Sequence, residues 1–449
     1  MRTHPQPAPV REIPEMSSWR PRVVVLVALA LAAAGCIGRS ESGTENPGEV
    51  RIGLIAATSG DNKAAGVEAQ RGAQLAADVV NGLNSLIPLP LANEAGLTNL
   101  GNARIRIVTK DVGSDPATAG TRAAVAVNLA ASQGVAAIVG GYDADVTVKA
   151  SQRAERIPVP FVNADSSVSF LTERGLDWFF RLGPSGRSTG EAFFSLLKQA
   201  ASKGQATKNI AILHARDKAG TDADAVIKEL ADEGGYTVVA DTPFDPNQGD
   251  LGQAVAEVQA RNPDVVFVSP TAKTTPVLIK AFADRHYKPK GVMAYGSGYL
   301  DVSMLKNAGA AVTGLCREVA WSHDLANRNE AARAVAELYQ RKYNAQMTEE
   351  AASTFTAVLT LAIAINNAGS TQPKKLRSAL LNLDIPGKDT IMPWSGIQFD
   401  ETHQNSGAAS VVEQFMDKTF RVVFPLDAAA GGEQLVYPVP GAAAAAPVG

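Results

Sequence analysis

The chain alternates short apolar runs rich in β-branched residues with longer stretches of helical spacing, and this alternation constrains its fold more than any other feature. The strand-like runs fall at 50–56, 105–108, 136–139, 159–162, 209–214, 237–240, 265–268 and 292–295. The helical stretches between them include 66–83, 115–132, 220–233, 251–260 and 276–285. Continuous apolar strands that alternate with helices predict parallel sheets covered by helices on both faces.

The number of these units predicts two sheets, because one open sheet usually holds about four to six strands. We therefore expect an α/β chain with two doubly wound parallel-sheet lobes. At the second helix, Asp115 and Pro116 match an N-cap followed by proline at the first helical position. The last part of the chain differs in pattern and predicts helices at 331–343 and 350–368, followed by short hairpin strands at 396–399, 411–415 and 420–424.

Residues 1–35 have the pattern of a secretory signal peptide. Arg20 and Arg22 precede an apolar run at 23–34. That run is shorter than the about 20 residues that a membrane-spanning helix needs. The small residues directly before Cys36 resemble a bacterial lipobox, which predicts cleavage after the signal peptide and lipidation of Cys36. An ordinary secretory signal and an uncleaved anchor are the alternatives.

Both ends of the mature chain are predicted to be flexible. Residues 36–49 are polar and rich in Gly and Ser, as in a flexible tether. Residues 441–449 form an alanine-rich tail that we expect to be disordered. The sequence leaves open whether translation starts at Met1 or at Met16.

The composition excludes several classes of function. The chain has 42 Lys and Arg against 45 Asp and Glu, a formal net charge of −3, which argues against nucleic acid as a partner. Two cysteines cannot build a disulfide scaffold or a Cys-rich metal site, and we expect Cys316 to be a buried, unpaired thiol. Dinucleotide and phosphate-loop motifs are absent from the sequence. We therefore predict no catalytic residue, no metal and no cofactor.

Ligands of doubly wound sheets bind beyond the carboxyl ends of the strands, so the loops that follow the strands hold the candidate binding residues. These loops are rich in hydroxyl, amide and carboxylate groups. The predicted ligand-binding residues are Ser59, Tyr142, Asp143, Ala144, Asp165, Ser167, Asp217, Thr271, Tyr295 and Ser297. Helix capping is the alternative role for Asp143, Asp145 and Asp217. Sealing of the lobes is the alternative for the tyrosines.

The histidines show no ligand spacing. His286, His323 and His403 lie in polar stretches, which indicates solvated surface residues. His214 ends a predicted strand and lies in a candidate loop. A hydrogen bond to the backbone is the favoured interpretation of His214, and a contact with the ligand is the alternative.

Several segments together resemble a known family. They are 52–55 with Ser59-Gly60, Gly66 and 70–76, then Asp111 with 115–117, 137–140, 157–162, 396–401 with Gln404-Asn405, 411–414 and 422–425. Because of the order and spacing of these segments, the chain resembles the type I periplasmic binding proteins of the leucine/isoleucine/valine-binding group. These proteins are the extracytoplasmic receptors of ABC importers.

The resemblance implies a Venus-flytrap architecture, in which two lobes joined by a three-segment hinge close on a ligand. The implied N-terminal lobe comprises residues 50–183 and 318–412, and the implied C-terminal lobe comprises residues 184–317 and 413–440. The segments expected to cross between the lobes lie near 182–185, 315–318 and 412–414.

Some positions that hold the amino-acid ligand in this family differ here. Ala144 stands where a small hydroxyl residue is usual, and Gly296 or Ser297 stands where an acidic residue pairs with the ligand's amino group. Asp165 and Ser167 occupy the loop that supplies a carbonyl and a hydroxyl, and only Ser167 matches the usual residue. These differences count against a branched-chain amino acid as the ligand.

The acidic residues of the candidate loops predict a ligand with cationic or hydrogen-bond-donor character, such as an amide, a urea-like compound or an amine. An ordinary small polar solute beside capping aspartates is the alternative. We therefore predict an extracytoplasmic solute-binding lipoprotein, anchored to a bacterial cell membrane through Cys36, that delivers a small polar solute to the permease subunits of an ABC importer. A ligand-sensing protein that signals to a partner without transport is the alternative function.

Overall fold

A computed structural model describes residues 48–115, 117–296, 305, 308–327, 329–429 and 433–442. The predicted signal peptide, the lipidation site Cys36 and the candidate binding residue Ser297 lie outside the described residues, as do nearly all of the tether and most of the tail. The expectations for these segments therefore stay predictions.

Two sheets with parallel cores form the frame of the chain, as the alternation of strands and helices predicted. The first sheet contains β1 (Glu49–Ala56), β2 (Arg104–Asp111), β3 (Ala137–Gly140), β4 (Phe161–Asn163) and β5 (Phe179–Arg181). Its order is β2-β1-β3-β4-β5, and every neighbouring pair is parallel. The part of the chain that packs on this sheet is called the N-terminal lobe below.

The second sheet is larger and mixed. It contains β6 (Asn209–Ala215), β7 (Thr237–Phe244), β8 (Val265–Ser269), β9 (Val292–Ala294), β10 (Leu315–Val319), β13 (Val411–Met416) and β14 (Thr419–Phe424). Its order is β14-β13-β10-β9-β8-β6-β7, in which β6 to β10 are parallel and β13 and β14 form an antiparallel hairpin beside β10. A separate pair joins β11 (Ile385–Pro386) to β12 (Gly396–Ile397). The part of the chain that packs on the second sheet is called the C-terminal lobe.

The described helices connect these strands. They are α1 (Lys63–Asn81), α2 (Ala119–Ser132), α3 (Ala144–Arg156), α4 (Phe170–Glu173), α5 (Gly186–Ser202), α6 (Lys218–Gly234), α7 (Gly252–Ala260), α8 (Thr275–Asp284), α9 (Glu330–Tyr343), α10 (Glu349–Ala368) and α11 (Pro373–Leu381). Short 3₁₀ turns occur at Thr98–Leu100, Gly309–Val312, His323–Asn327 and Gly387–Asp389.

The start predicted for the second helix was wrong. Helix α2 begins at Ala119, because the Asp115 carbonyl accepts the amides of Thr118 and Ala119 in a turn that precedes the helix. The strand pattern also failed to identify the short strand β5. The prediction for Cys316 is confirmed, since its thiol is buried in β10 and burial raises its pKa to about 12.

The chain passes between the lobes at three places. Residues 182–185 connect β5 to α5, β10 is followed by α9 to α11, and the segment after β12 leads to β13. The side chains of α9 to α11 belong to the same apolar core as β1, so the chain returns to the N-terminal lobe after β10. The residue-level lobe boundaries implied by the resemblance stay a prediction.

Helix α10 lies at the centre of the N-terminal core. Every residue from Ala351 to Asn366 is buried, and the helix packs against α1, α11 and β3. By length and composition alone α10 could cross a membrane, but 83% of its most apolar window is buried inside the protein. An apolar helix without a polar face is the pattern expected of a helix surrounded by protein.

Helix α1 meets α10 at Gly72. A Cβ atom built on Gly72 would lie 2.1 Å from the carbonyl oxygen of Ala351, in the first turn of α10. Glycine inside a helix is less stable than alanine by roughly 0.5–1 kcal/mol. The close approach of the two backbones explains why glycine nevertheless stands here, and it fixes the position of the first turn of α10.

We expect Gly72→Ala to lower the free energy of unfolding by about 1–3 kcal/mol, because the added methyl group forces the two helices apart. Urea denaturation measures the change. Gly249→Ala is the control, since Gly249 is exposed and its added Cβ would meet no atom within 4 Å. A Gly72→Ala variant as stable as the parent would contradict this packing.

Candidate functional site

The carboxyl ends of β1, β3 and β4 line two adjoining hollows, which together are called the recess. The hollows enclose about 300 and about 500 Å³, including space that is open to solvent, and share Ile55, Ala56, Ala57, Asn62 and Tyr142. The first also reaches Gly140, Gly141, Asp165, Glu350 and Thr354. The second also reaches Gly113, Ser114, Asp143, Asp145 and Val146. The position agrees with the rule that ligands of doubly wound sheets bind beyond the carboxyl ends of the strands.

Three of the predicted binding residues line the recess. Tyr142 borders both hollows, Asp165 borders the first and Asp143 borders the second. Asp143 also caps α3, where its carboxylate accepts the amide of Asp145 at 2.8 Å. Of the three, the carboxylate of Asp165 is therefore the predicted group most available to a ligand.

Asp217 is a helix cap, which was the alternative interpretation. Its carboxylate accepts the amide of Gly220 at 2.7 Å at the start of α6. Burial raises the pKa of Asp217, and the nearby charge of Asp143 adds to this rise. Asp217 does not line either hollow.

Ser59 and Thr271 are occupied by local hydrogen bonds. The hydroxyl of Ser59 donates to Asp111 at 2.6 Å. Burial by itself would raise the pKa of Asp111, but hydrogen bonds, first that from Ser59, lower it to about 2. The hydroxyls of Thr271 and Thr274 lie 2.9 Å apart in the turn before α8. Neither Ser59 nor Thr271 lines the recess.

Tyr295 is buried inside the C-terminal lobe, as in the alternative interpretation of the tyrosines. Its hydroxyl donates to the carbonyl of Gly186 at 2.5 Å, and burial, together with Glu318, raises its pKa well above the ordinary value. Ala144 is the first residue of α3 and offers no polar side chain.

The loop after β4 carries Asp165 and Ser167, and two buried side chains hold it in place. Asn163 donates to two carbonyls of the loop after β3, at 3.0 and 2.7 Å. Arg181 is 2% exposed and donates to the carbonyls of Ser167, at 3.0 Å, and Val168, at 2.6 Å. The backbone around Asp165 is thus fixed before any ligand arrives, which is the arrangement expected of a preorganised site.

Three glutamates that the sequence patterns did not identify form an electrostatic cluster with Asp165, in which Glu349 acts on both Asp165 and Glu318. Glu349 and Glu350 form the first turn of α10, and Glu318 lies in β10. Glu318 and Glu349 each accept one backbone amide, at 2.9 and 2.5 Å. Among the described residues, the carboxylates of Asp165 and Glu350 have neither a hydrogen bond nor an ion pair.

Burial and mutual repulsion raise the pKa values of these four carboxyl groups. Burial is the largest cause in each case. The pKa of Glu318 is raised to about 8 and that of Glu349 to about 7. Glu349 also raises the pKa of Asp165, and Asp165 raises that of Glu350. The positive charge of Arg317 offsets part of the rise in the pKa values of Glu318 and Glu349. However, the Arg317 guanidinium already pairs with the carboxylate of Glu413 at 2.8 Å. The recess and its surroundings therefore hold more carboxylates than nearby cations can neutralise.

The sequence contains a signal for these glutamates. Glu349 and Glu350 directly precede the apolar run at 351–365. A helix with no polar face is surrounded by protein, so its first turn lies close to the interior as well. Charges in such a turn are candidates for a ligand site.

Two polar contacts between the lobes tie α6 to the N-terminal lobe. Lys218 pairs with Asp145 on α3. Asp222 accepts the amide of Ser169 at 3.0 Å and its hydroxyl at 3.2 Å. Because Asp145 lines the second hollow, a movement of one lobe against the other changes the wall of the recess.

The histidines have different environments from one another. His403 is 8% exposed, donates through Nδ1 to a β5 carbonyl at 3.0 Å and stacks on Phe180 with ring centroids 4.6 Å apart, so its interpretation as a surface residue was wrong. His286 and His323 are exposed as predicted. His214 is bonded to a backbone carbonyl at 3.1 Å, which confirms the favoured interpretation.

The sequence matches a family model described as periplasmic binding protein over residues 49–418. It is 25% identical over 408 residues to the Leu/Ile/Val-binding protein homolog 8 of Brucella suis biovar 1, a match that covers 89% of this chain and 96% of that protein. It is 23% identical over 418 residues to the Leu/Ile/Val-binding protein homolog 7 of Brucella abortus, with 91% and 98% covered.

Solved structures share the fold. A leucine-binding protein LivK from Thermotoga maritima is similar with a TM-score of 0.69 and 19% identity, covering 83% of this chain and 97% of that one. LivJ from Streptococcus pneumoniae in complex with isoleucine has a TM-score of 0.67, 20% identity and coverage of 84% and 99%. A solute-binding protein from Rhodopseudomonas palustris HaA2 in complex with p-hydroxybenzoic acid has a TM-score of 0.67, 18% identity and coverage of 87% and 98%.

The raised carboxyl pKa values predict how stability depends on pH without ligand. Unfolded carboxyl groups lose their protons near pH 4, whereas Glu349 and Glu318 keep theirs to about 7 and 8. Between about pH 4 and pH 8 the folded state therefore binds more protons than the unfolded state does. As a result, the free energy of unfolding falls as pH rises from 5 to 8. We expect Glu350→Gln to flatten this fall and to stabilise the protein at pH 8, measured by urea denaturation at both pH values.

Glu257→Gln, at an exposed position on α7, is the matched control and should leave the pH dependence unchanged. If the free energy of unfolding falls equally steeply with pH in the parent and in Glu350→Gln, the carboxyl group of Glu350 ionises normally in the folded protein.

Proposed function

Since the chain belongs to the periplasmic binding protein family, whose model matches residues 49–418, we propose that it captures a small polar solute bearing an amine or a similar hydrogen-bond-donating cationic group. The family consists of substrate-binding proteins of ABC transporters rather than enzymes, and it acts outside the cytoplasm. In this proposal the chain delivers its solute to the permease subunits of an ABC importer.

The observation that carries the ligand class is the pair of carboxylates of Asp165 and Glu350 in the wall of the recess. Both lack partners among the described residues, and the charge of Asp165 adds to the burial-driven rise in the pKa of Glu350. A cation bound between them would supply the charge that the surrounding protein does not, and would favour the ionised form of both groups. An anionic or wholly apolar ligand would instead leave the excess carboxylates buried without a partner.

The names of the relatives point to a broader choice of ligand. The Brucella relatives are named for leucine, isoleucine and valine, and one structural neighbour holds isoleucine while another holds p-hydroxybenzoic acid. At Ala144 and Gly296, this chain lacks side chains that the family usually gives to an amino-acid ligand. A zwitterionic amino acid would place its own carboxylate next to an already acidic wall, which favours a solute with a cationic group and no carboxylate.

Capture would proceed by closure of the two lobes. We place the hinge near 182–185, near 315–318 and near 412–414, where the chain passes between the lobes. The contact between Lys218 and Asp145 is a candidate latch, because it joins α6 to the rim of the recess. Closure would be driven by the higher affinity of the closed form for the solute, with no chemical step.

The ligand class can be tested by calorimetry on the mature chain made soluble with Cys36→Ser. We expect putrescine or another amine to bind and leucine and acetate to give no response, and the affinity for the amine to rise from pH 6 to pH 8 as the carboxyl groups ionise. Asp165→Asn and Glu350→Gln should each weaken binding by about tenfold or more, because each removes one charged partner. Glu257→Gln should bind like the parent. Tight binding of leucine without any response to amines would overturn the proposed ligand class.

We also propose that the protein is a lipoprotein anchored through Cys36. The support is the apolar run at 23–34 followed by small residues and a cysteine, and the polar tether behind it. Acyl chains on Cys36 would hold the lobes next to the membrane that contains the permease.

Substitution of the anchor residue tests this part of the proposal. In bacterial cells, Cys36→Ser should move the protein from the membrane fraction to the soluble fraction, as measured by fractionation and immunoblotting. Cys316→Ala, which removes the buried thiol of β10 instead, should leave the protein in the membrane fraction. A Cys36→Ser protein that still sediments with membranes would favour an uncleaved anchor.

A further inference from the structure

Three side chains of the C-terminal lobe bring metal-ligand atoms together outside the recess. His214 lies near the end of β6, Asp224 on α6 and Asp241 on β7, and one donor atom from each lies within 4.8 Å of the others. The elements are direct neighbours, since β6 pairs with β7 and α6 packs on both strands. The cluster is therefore built from the rigid frame of the lobe and not from a loop.

The hydrogen bond of His214 turns the free nitrogen of its ring towards the carboxylates. Nδ1 lies 3.1 Å from the carbonyl oxygen of Ala215. A carbonyl oxygen only accepts, so Nδ1 carries the proton and the neutral ring keeps its lone pair on Nε2. Nε2 lies 3.4 Å from Oδ1 of Asp241. Two acceptor atoms thus face each other, an arrangement that requires a proton or a cation between them.

Asp224 adds a third acceptor that lacks a partner. Its Oδ1 atom is buried and has no hydrogen bond within the described part of the chain. A buried carboxylate oxygen without a donor is costly, because the group has lost its contact with water. Together with the His214 ring, which is 7% exposed, this oxygen indicates that the cluster has room for a ligand with positive charge.

Lys228 is the cation that balances the two aspartates in this structure. Its Nζ atom lies 2.7 Å from Oδ2 of Asp224 and 2.6 Å from Oδ2 of Asp241. The side chain is 42% exposed, so the ammonium group can swing into solvent without disturbing the core. The ammonium group binds the Oδ2 atoms and leaves the Oδ1 atom of each aspartate, including the Asp241 Oδ1 that faces His214.

We propose that His214 Nε2 and the carboxylates of Asp224 and Asp241 bind one zinc-type divalent cation, with Lys228 displaced into solvent. Zinc with ligands at about 2.0–2.1 Å in a tetrahedral site separates its donor atoms by about 3.4 Å, which matches the distance from Nε2 to the Asp241 oxygen. The bond from Nδ1 to a carbonyl is the outer-shell contact that orients most metal-binding histidines. Water would complete the coordination.

The donor set selects the class of metal. Imidazole nitrogen suits Zn²⁺, Cu²⁺ and Ni²⁺, whereas Mg²⁺ and Ca²⁺ prefer oxygen donors alone. Two carboxylates and a neutral imidazole balance the charge of one divalent ion once the ammonium group of Lys228 has left. The site is independent of the proposed solute, because none of its residues lines the recess. This proposal revises the expectation from the sequence that the chain holds no metal.

Zinc titration of the mature chain with Cys36→Ser, prepared without an affinity tag, tests the proposal. We expect one zinc ion per chain by calorimetry and by metal analysis after dialysis, no uptake of Mg²⁺, and a higher melting temperature with zinc. His214→Ala and Asp224→Asn should each weaken zinc binding by more than about 100-fold, beyond the loss typical of an outer-shell partner. Lys228→Met should strengthen it by roughly tenfold or more, because a competing charge is removed.

His286→Ala is the matched control, since His286 is exposed and stands apart from the cluster. Its zinc affinity should equal that of the parent. Cobalt substitution gives a second readout, because a tetrahedral Co²⁺ site absorbs visible light and the absorption should vanish in Asp224→Asn even if His214→Ala fails to fold. Absence of zinc binding, or zinc binding that survives both substitutions, would overturn the proposal and leave a protonated His214 as the partner of Asp241.

Discussion

The packing of α10 against α1 determines where the acidic wall of the recess lies. Gly72 lets the two backbones approach so closely that a methyl group would meet the Ala351 carbonyl at 2.1 Å. The apolar side chains of α10 are buried on all sides, and this burial is the main source of the helix's stability. Because the helix cannot shift along its axis without losing these contacts, Glu349 and Glu350 in its first turn are held near Asp165 although burial disfavours their charge.

The parts of the fold that the sequence predicted are those with a local physical cause. Continuous apolar strands and helical periodicity identified the two sheets and most helices, and the place of Asp143 and Asp217 before a helix offered capping as the alternative to ligand binding. The acidic wall could not be predicted in the same way, because Glu350 meets Asp165 only through tertiary packing between segments far apart in sequence. The prediction that His403 is a surface residue failed for the same reason. Its neighbours in sequence are polar, but its ring stacks on Phe180 from another part of the chain.

The acidic wall links ligand binding to stability. In the ligand-free protein, burial and repulsion keep protons on carboxyl groups that would be ionised in water, so the folded state loses stability as these protons leave. A bound cation would reverse this effect, since it interacts with the ionised groups, and ligand that binds only the folded state adds to stability by mass action. Affinity for a cationic solute should therefore rise over the same pH range in which the ligand-free protein becomes less stable.

The two acidic clusters described above differ in how their charge is balanced, and this contrast favours a cationic solute. Around Asp224 and Asp241, the chain supplies its own cation, Lys228, at 2.7 and 2.6 Å. Folding there needs no added ion, so a metal would have to compete with an ammonium group. In the recess, no described lysine or arginine reaches Asp165 or Glu350, and the cation that would balance them has to come from outside the chain. A solute site that lacks an internal counterion binds its ligand without first displacing part of the protein.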